Sequence, residues 1–266
     1  MVETLESPPA AAVRPGPIRR FLGWCVHAYT ASGLAIAAVI LALLVEGGPD
    51  AFRWSFLLML VAVLVDASDG TFARAVRIKE AVPSFDGRRL DDITDFLTYT
   101  FLPLMLVWRA GLIPPGTEAW LIAPLLASAY GFCQVDVKTP DGYFLGFPSL
   151  WNVVAFYLYV LPIPQAAALG ILLFLAILTF VPVKHLYPSQ PGPLNRFATI
   201  TGIVWGVLMV WLLWILPTSA SPEFSTATRA LAYVSLIYPA FYMAASWYVT
   251  LQGWLRPRPP APSPSP

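Results

Sequence analysis

The stretch Asp66-Ala-Ser-Asp69-Gly70-Thr-Phe-Ala73-Arg74, followed after twelve residues by Gly87-Arg-Arg-Leu-Asp91-Asp-Ile-Thr-Asp95, decides how this chain is read. It closes the apolar run Phe56–Val65, a run of the kind that enters or leaves a membrane. On a helix, Asp66 and Asp69 stand three apart and Asp91 and Asp95 four apart, so each pair projects from one face. Four carboxylates converging at a membrane boundary repel one another unless a hard divalent cation neutralises them. Asp66, Asp69, Asp91 and Asp95 are therefore expected to ligate metal for phosphoryl chemistry at a membrane surface.

Composition agrees with a membrane setting. Of 266 residues, 58% are hydrophobic and only 12% charged; mean hydropathy is +0.67. A soluble domain carries about twice that charge. The net charge of +1 implies no nucleic-acid partner. Cys25 and Cys133 lie in or beside apolar segments without metal-ligand spacing. No signal peptide is expected before the first apolar run, because the opening residues carry Pro and Arg rather than a basic stub and short apolar core.

Outward from the acidic stretch, apolar runs recur at about the length a bilayer requires. They are Trp24–Val45, Trp54–Phe72, Leu90–Trp108, Trp120–Val135, Pro148–Leu161, Ala166–Val183, Phe197–Leu216 and Thr228–Leu251. The fifth is short and bounded by Pro162 and Pro164, so it must thin the bilayer, tilt little or be partly re-entrant. Between the second and third runs, Arg77–Arg89 mixes charges around Ile78, Ala81, Val82 and Phe85, as a short interfacial helix interrupted at Pro83 would. The expected fold is an all-α bundle of about eight transmembrane helices in one domain, 1–266, with 1–17 and 257–266 as disordered tails. With the N-terminus cytoplasmic, thirteen Lys and Arg lie inside and Arg53, Arg109 and Arg229 outside. Both termini and the acids then face the cytoplasm, at the inner surface of the membrane.

Asp91 and Asp92 alone could be helix N-terminal charges. Asp66 and Asp69, closing an apolar run, have no such account, and buried acids are costly enough to mark a polar cavity. Gly70 and Ala73 leave the helix surface flat, so a planar base or a phosphate can approach the backbone, and Arg74 offers a fork to phosphate oxygens. A cation transporter is the alternative from another class, although its acids would be expected nearer the midplane.

Asp66-x2-Asp69-Gly70-x2-Ala73-Arg74-x12-Gly87-x3-Asp91-x3-Asp95 resembles the signature of the CDP-alcohol phosphotransferase family, with a longer interval before Gly87 than is usual there. That resemblance implies that Asp66, Asp69 and Asp91 ligate one or two Mn2+ or Mg2+ ions, with Asp95 completing the site or acting as general base. It implies that Gly70, Ala73, Arg74 and Gly87 hold the CDP group. The family's Asn-x-x-Thr on the first span is represented by His27-Ala-Tyr-Thr30, which places His27 and Thr30 at the CDP site. The longer interval, the span number and the segment from Tyr130 to Asn152 are similar to a bacterial branch that joins CDP-diacylglycerol to choline, giving phosphatidylcholine and CMP. Members of the family tend to be homodimers.

A quaternary ammonium wants aromatic faces. Tyr130, Trp151, Asn152 and Tyr187 are the candidate choline residues, with Tyr143, Phe144, Asp136 and Asp141 nearby, although Trp and Tyr also serve as plain interfacial anchors. Lys184 and Arg196, with His185, are candidates for lipid phosphate, and a positive-inside loop explains them equally well. A sibling enzyme using serine, inositol phosphate or glycerol phosphate is the nearest alternative. An anionic acceptor would call for a dense cationic pocket where this sequence has aromatics.

Overall fold

Helix α1, Pro17–Glu46, and helix α2, Ala51–Val76, pair as the two long rods against which the acidic stretch is built. A computed structural model of the chain describes residues 16–48, 50–135, 139, 143–186, 192–216 and 224–255. The expected tails, apart from Gly16 and Pro17, and Asp136, Asp141 and Tyr187 lie outside the described residues.

Helix α1 begins at Pro17, well before the apolar run at Trp24. Proline fits a first helical turn, whose N–H would lack a partner anyway. The added turns are tied down by Arg19, whose Nη2 reaches Glu80 at 2.7 Å and whose Nε donates to the Val76 carbonyl at 3.1 Å. Arg77, in the left-handed region at φ 49°, ends α2. The following interval folds as a short helix α3, Ile78–Ala81, which stops before Pro83 as expected of a residue that cannot continue a helix. Its buried Ala81 and Val82 seat on Gly23 of α1, where an added Cβ would lie 2.7 Å from Val82 Cγ2.

One rod then runs through α4, Gly87–Asp95, a π-helical stretch, Phe96–Phe101, and α5, Leu102–Arg109. Asp86 starts it, its Oδ1 accepting from the Arg89 N–H at 3.2 Å. The π winding precedes Pro103, which lacks an N–H and would press on the carbonyl four residues earlier, a common cause of such widening.

Beyond a 3-10 turn, Glu118–Leu121, come α6, Ile122–Cys133, strand β1, Tyr143–Leu145, α7, Trp151–Val160, and α8, Gln165–Leu178. Strand β2, Lys184–Leu186, α9, Pro193–Trp214, α10, Thr226–Ser235, and α11, Ile237–Leu255, complete the described chain. Among the described residues, four helical runs are long and apolar enough to cross a membrane: α1, α2, α9 and the α10–α11 run Thr226–Leu255. Glu118–Cys133, α7 and α8 are shorter apolar helices.

The shortness of α7 has a physical explanation. Trp151, Ala155, Phe156, Tyr157, Leu158 and Val160 are all buried, as are Leu102, Leu104, Leu106 and Val107 of α5. These two helices form the centre of the bundle, sheltered by protein, so α7 need not match a bilayer by length. On α9, by contrast, Ile203, Val207, Trp211 and Trp214 stand exposed, as residues facing lipid do. At the end of the bundle away from the acids, Arg109 Nε donates to the Leu44 carbonyl at 3.0 Å and Arg53 Nη2 to the Trp214 carbonyl at 2.9 Å. Two of the three arginines assigned to the outer side thus complement helix C-termini.

The all-α expectation needs one amendment. Strands β1 and β2 pair antiparallel, with Phe144 opposite His185. The other edge of β2 is closed by hydroxyls spaced along one face of α11. Lys184 N–H donates to Thr250 Oγ1 at 2.8 Å and Leu186 N–H to Ser246 Oγ at 3.2 Å, while the Tyr242 hydroxyl donates to the Leu186 carbonyl at 2.9 Å.

His185, fully buried on β2, stacks at 6.1 Å on Tyr242, and burial pushes its imidazole down to about 4 against the weaker pull of backbone carbonyls. The unfolded chain, with an ordinary histidine, therefore binds the extra proton between pH 6.5 and about 4. Stability from this residue is expected to be intact above pH 6.5 and to fall with pH through that window. Thermal unfolding in detergent at stepped pH should show a shallower acid decline in His185→Gln than in the parent protein.

Candidate active site

Three helices position the acids. Asp66 and Asp69 lie on α2, Asp91 and Asp95 on α4, and α1 packs against both. Gly33 makes that packing possible, because an added Cβ would run into the Thr94 methyl group on α4. Asp66, Asp91 and Asp95 each offer one carboxylate oxygen, and these oxygens all lie within 4.8 Å of one another in half-buried positions.

Oxygen-only donors this close repel one another when ionised together, so the charged set needs a countercharge and suits a hard divalent cation. The donor set therefore fits such an ion. Asp69 stands outside this trio: it is buried, and its Oδ2 accepts from Thr30 Oγ1 of α1 at 2.7 Å. Asp92 turns toward its own helix, 4.0 Å from Arg88 Nε.

The remaining candidates surround the acids at different distances from the chemistry. A Cβ at Gly70 would meet only the tip of Arg74, whose Nη2 donates to Thr71 Oγ1 at 3.1 Å, and Ala73 is half-buried beside them. This small-residue surface with a guanidinium folded over it is open to the exterior. Gly87 differs, because a Cβ there would lie 2.6 Å from His27 Cε1. The missing side chain admits the imidazole. His27 is itself buried beside Trp24 and Phe85, with ring centroids 5.8 and 4.4 Å away, and its Nε2 has no hydrogen-bond partner. The long interval before Gly87 thus delivers Phe85 onto His27.

The aromatic candidates separate by exposure. Trp151 is fully buried and its Nε1 donates to Ser128 Oγ at 2.7 Å, so its indole fills the core. Asn152 Oδ1 accepts from the Val153 N–H at 2.9 Å at the start of α7. Tyr130 is exposed and tilts against Phe180 at 4.8 Å. Lys184 Nζ sits 5.3 Å over the Tyr143 ring, and Arg196 is exposed near the start of α9.

One residue of the site escaped the sequence reading. Tyr99, on the π-helical stretch, donates its hydroxyl to Asp66 Oδ2 at 2.8 Å. Its position four beyond Asp95 and eight beyond Asp91 was the available signal.

No family model matches the chain. Among curated proteins, it is 40% identical to a phosphatidylcholine synthase of Pseudomonas aeruginosa over 198 residues, covering 73% of this chain and 82% of that protein. It is 35% identical to a phosphatidylcholine synthase of Borreliella burgdorferi over 237 residues, 88% of this chain and 96% of the other. A phosphatidylcholine synthase of Legionella bozemanae is 38% identical over 194 residues, 70% of this chain and 88% of that one.

Proposed function

The chain belongs to the phosphatidylcholine synthase family, and from that premise we propose that it condenses CDP-diacylglycerol with choline, releasing CMP. The observation that carries the chemistry is the meeting of Asp66, Asp91 and Asp95 oxygens within 4.8 Å, drawn from two neighbouring helices. Mn2+ or Mg2+, as one ion or two, held by these acids with Asp69 beside them, would neutralise the pyrophosphate and the departing CMP.

The choline oxygen bonds to the β-phosphorus as the bond from that phosphorus to the bridging oxygen breaks. CMP leaves, and the hydroxyl proton passes to Asp95 as general base. Gly70 and Ala73 admit the cytidine and its phosphates to the face of α2, and Arg74 pairs with phosphate oxygens. His27, Thr30 and Gly87 line the same end of α1 and α4. For choline, exposed Tyr130 and half-buried Asn152 are better supported than core-filling Trp151, with Tyr187 retained as a candidate. Lys184 and Arg196 are read as contacts for lipid phosphate.

We read the helices as eight passes through the bacterial inner membrane, with both termini and the acids cytoplasmic. This is supported by the distribution of Lys and Arg and by the arginines seated on helix ends opposite the acids. The acyl chains then stay in the bilayer while choline arrives from the cytoplasm. A homodimer is expected from the family resemblance.

The test is an assay of purified protein with CDP-diacylglycerol and labelled choline. Labelled phosphatidylcholine should form with Mn2+ or Mg2+ and cease in EDTA, a loss of at least two orders of magnitude. Undiminished product after exhaustive chelation would remove the metal reading. Incorporation of serine or inositol in place of choline would reassign the acceptor.

A further inference from the structure

The two acids of α2 are each held by a hydroxyl from a different neighbour. Thr30 on α1 donates to Asp69 at 2.7 Å, and Tyr99 on the π-helical stretch donates to Asp66 at 2.8 Å. Positions four apart drift slowly round an α-helix, and the wider π winding offsets that drift. Asp91, Asp95 and the Tyr99 hydroxyl are thereby carried toward α2 by a single rod.

We propose that Tyr99 is a positioning residue: its hydroxyl fixes the plane of the Asp66 carboxylate, so that the acid is already oriented when a divalent cation binds. The role rests on the metal reading above. A ligating carboxylate that is not held must surrender its rotation on binding, and partners that hold ligands in place govern affinity strongly. A phenol also suits this position as a neutral donor. It stabilises charge on Asp66 without competing with the ion as a cationic partner would.

Mn2+ binding separates this role from simple packing, because it is read without substrate or turnover. Parent protein, Tyr99→Phe, Asp66→Ala and the double variant would be purified in detergent and titrated with Mn2+, following loss of the free-ion paramagnetic resonance signal. Tyr99→Phe is expected to weaken Mn2+ binding about tenfold. Its unfolding midpoint in EDTA should fall by no more than about 2–4 °C, the worth of one hydrogen bond. On the Asp66→Ala background, which leaves the Tyr99 hydroxyl no acceptor at that position, the same change should cost nothing further, because the partner through which it acts is gone.

Parent-like Mn2+ affinity in Tyr99→Phe would overturn the proposal. So would an equal loss on both backgrounds, or a midpoint in EDTA lowered by about ten degrees or more, far beyond one hydrogen bond, which would make Tyr99 a packing residue. A parent protein that binds no Mn2+ would sink the metal reading itself, an outcome distinct from failure of Tyr99 alone.

Discussion

Asp95→Asn is expected to lower phosphatidylcholine formation by at least about a thousandfold while leaving the protein folded. An amide keeps the shape of the side chain but cannot accept the choline proton, and it is a poorer ligand for a hard cation. The fold has no comparable stake in the charge. Asp95 shares a half-buried space with Asp66 and Asp91, and an uncharged amide of the same shape adds no repulsion there in the metal-free protein. The unfolding midpoint in EDTA should therefore be equal to the parent's or higher. Asp92→Asn is the matched control: one residue from Asp91, it faces Arg88 across 4.0 Å and should retain near-normal turnover. Labelled-choline incorporation and thermal unfolding, run on the same preparations, check both halves. Asp95→Asn with parent-like turnover would remove the base assignment.

Gly146→Ala is expected to fail for the opposite reason, by losing the fold with the chemistry untouched. Gly146 has φ 80°, and its N–H donates to the Val183 carbonyl at 3.0 Å where the β1–β2 ribbon joins the bundle. A methyl group there would enter the Thr179 carbonyl, a backbone atom that no rotamer change can move. The left-handed conformation alone costs about 1–2 kcal/mol for a residue with a Cβ. With the collision added, destabilisation on the order of 3 kcal/mol or more is expected. The adjoining residues Phe147 and Trp151 belong to the buried core, so the damage should spread to α7. Gly131→Ala offers the contrast, because its Cβ would meet only the Thr179 methyl at an ordinary 3.5 Å. Gly131→Ala should purify and unfold like the parent, whereas Gly146→Ala should yield little folded protein or a much lower midpoint.

Much of this molecule was legible because hydropathy and spacing act locally. Each apolar run became a helical rod, since a chain in lipid must satisfy its backbone within itself. The spacing of Asp66, Asp91 and Asp95 gave the face of each helix, which is what brings their oxygens together. What hydropathy could not reveal was burial by protein as distinct from lipid. Trp151 has the composition of an interfacial anchor, yet Ser128 and the short helix α7 draw it into the centre. Three-residue strands are equally invisible, because β1 and β2 exist only through pairing across some forty residues of chain and through the hydroxyls of Ser246 and Thr250. The π-helical stretch follows from Pro103, but its consequence, a tyrosine aimed at Asp66, requires the neighbouring helix to be in place. The seating of His27 on Gly87 and Phe85 depends on how the long interval folds, which spacing alone does not reveal.

The most direct measurement is the location of manganese in crystals of the protein grown with Mn2+, by anomalous scattering at the metal's absorption edge. A peak bounded by the carboxylates of Asp66, Asp91 and Asp95 is the predicted result. Manganese bound elsewhere, with these three side chains apart and no density among them, would contradict it.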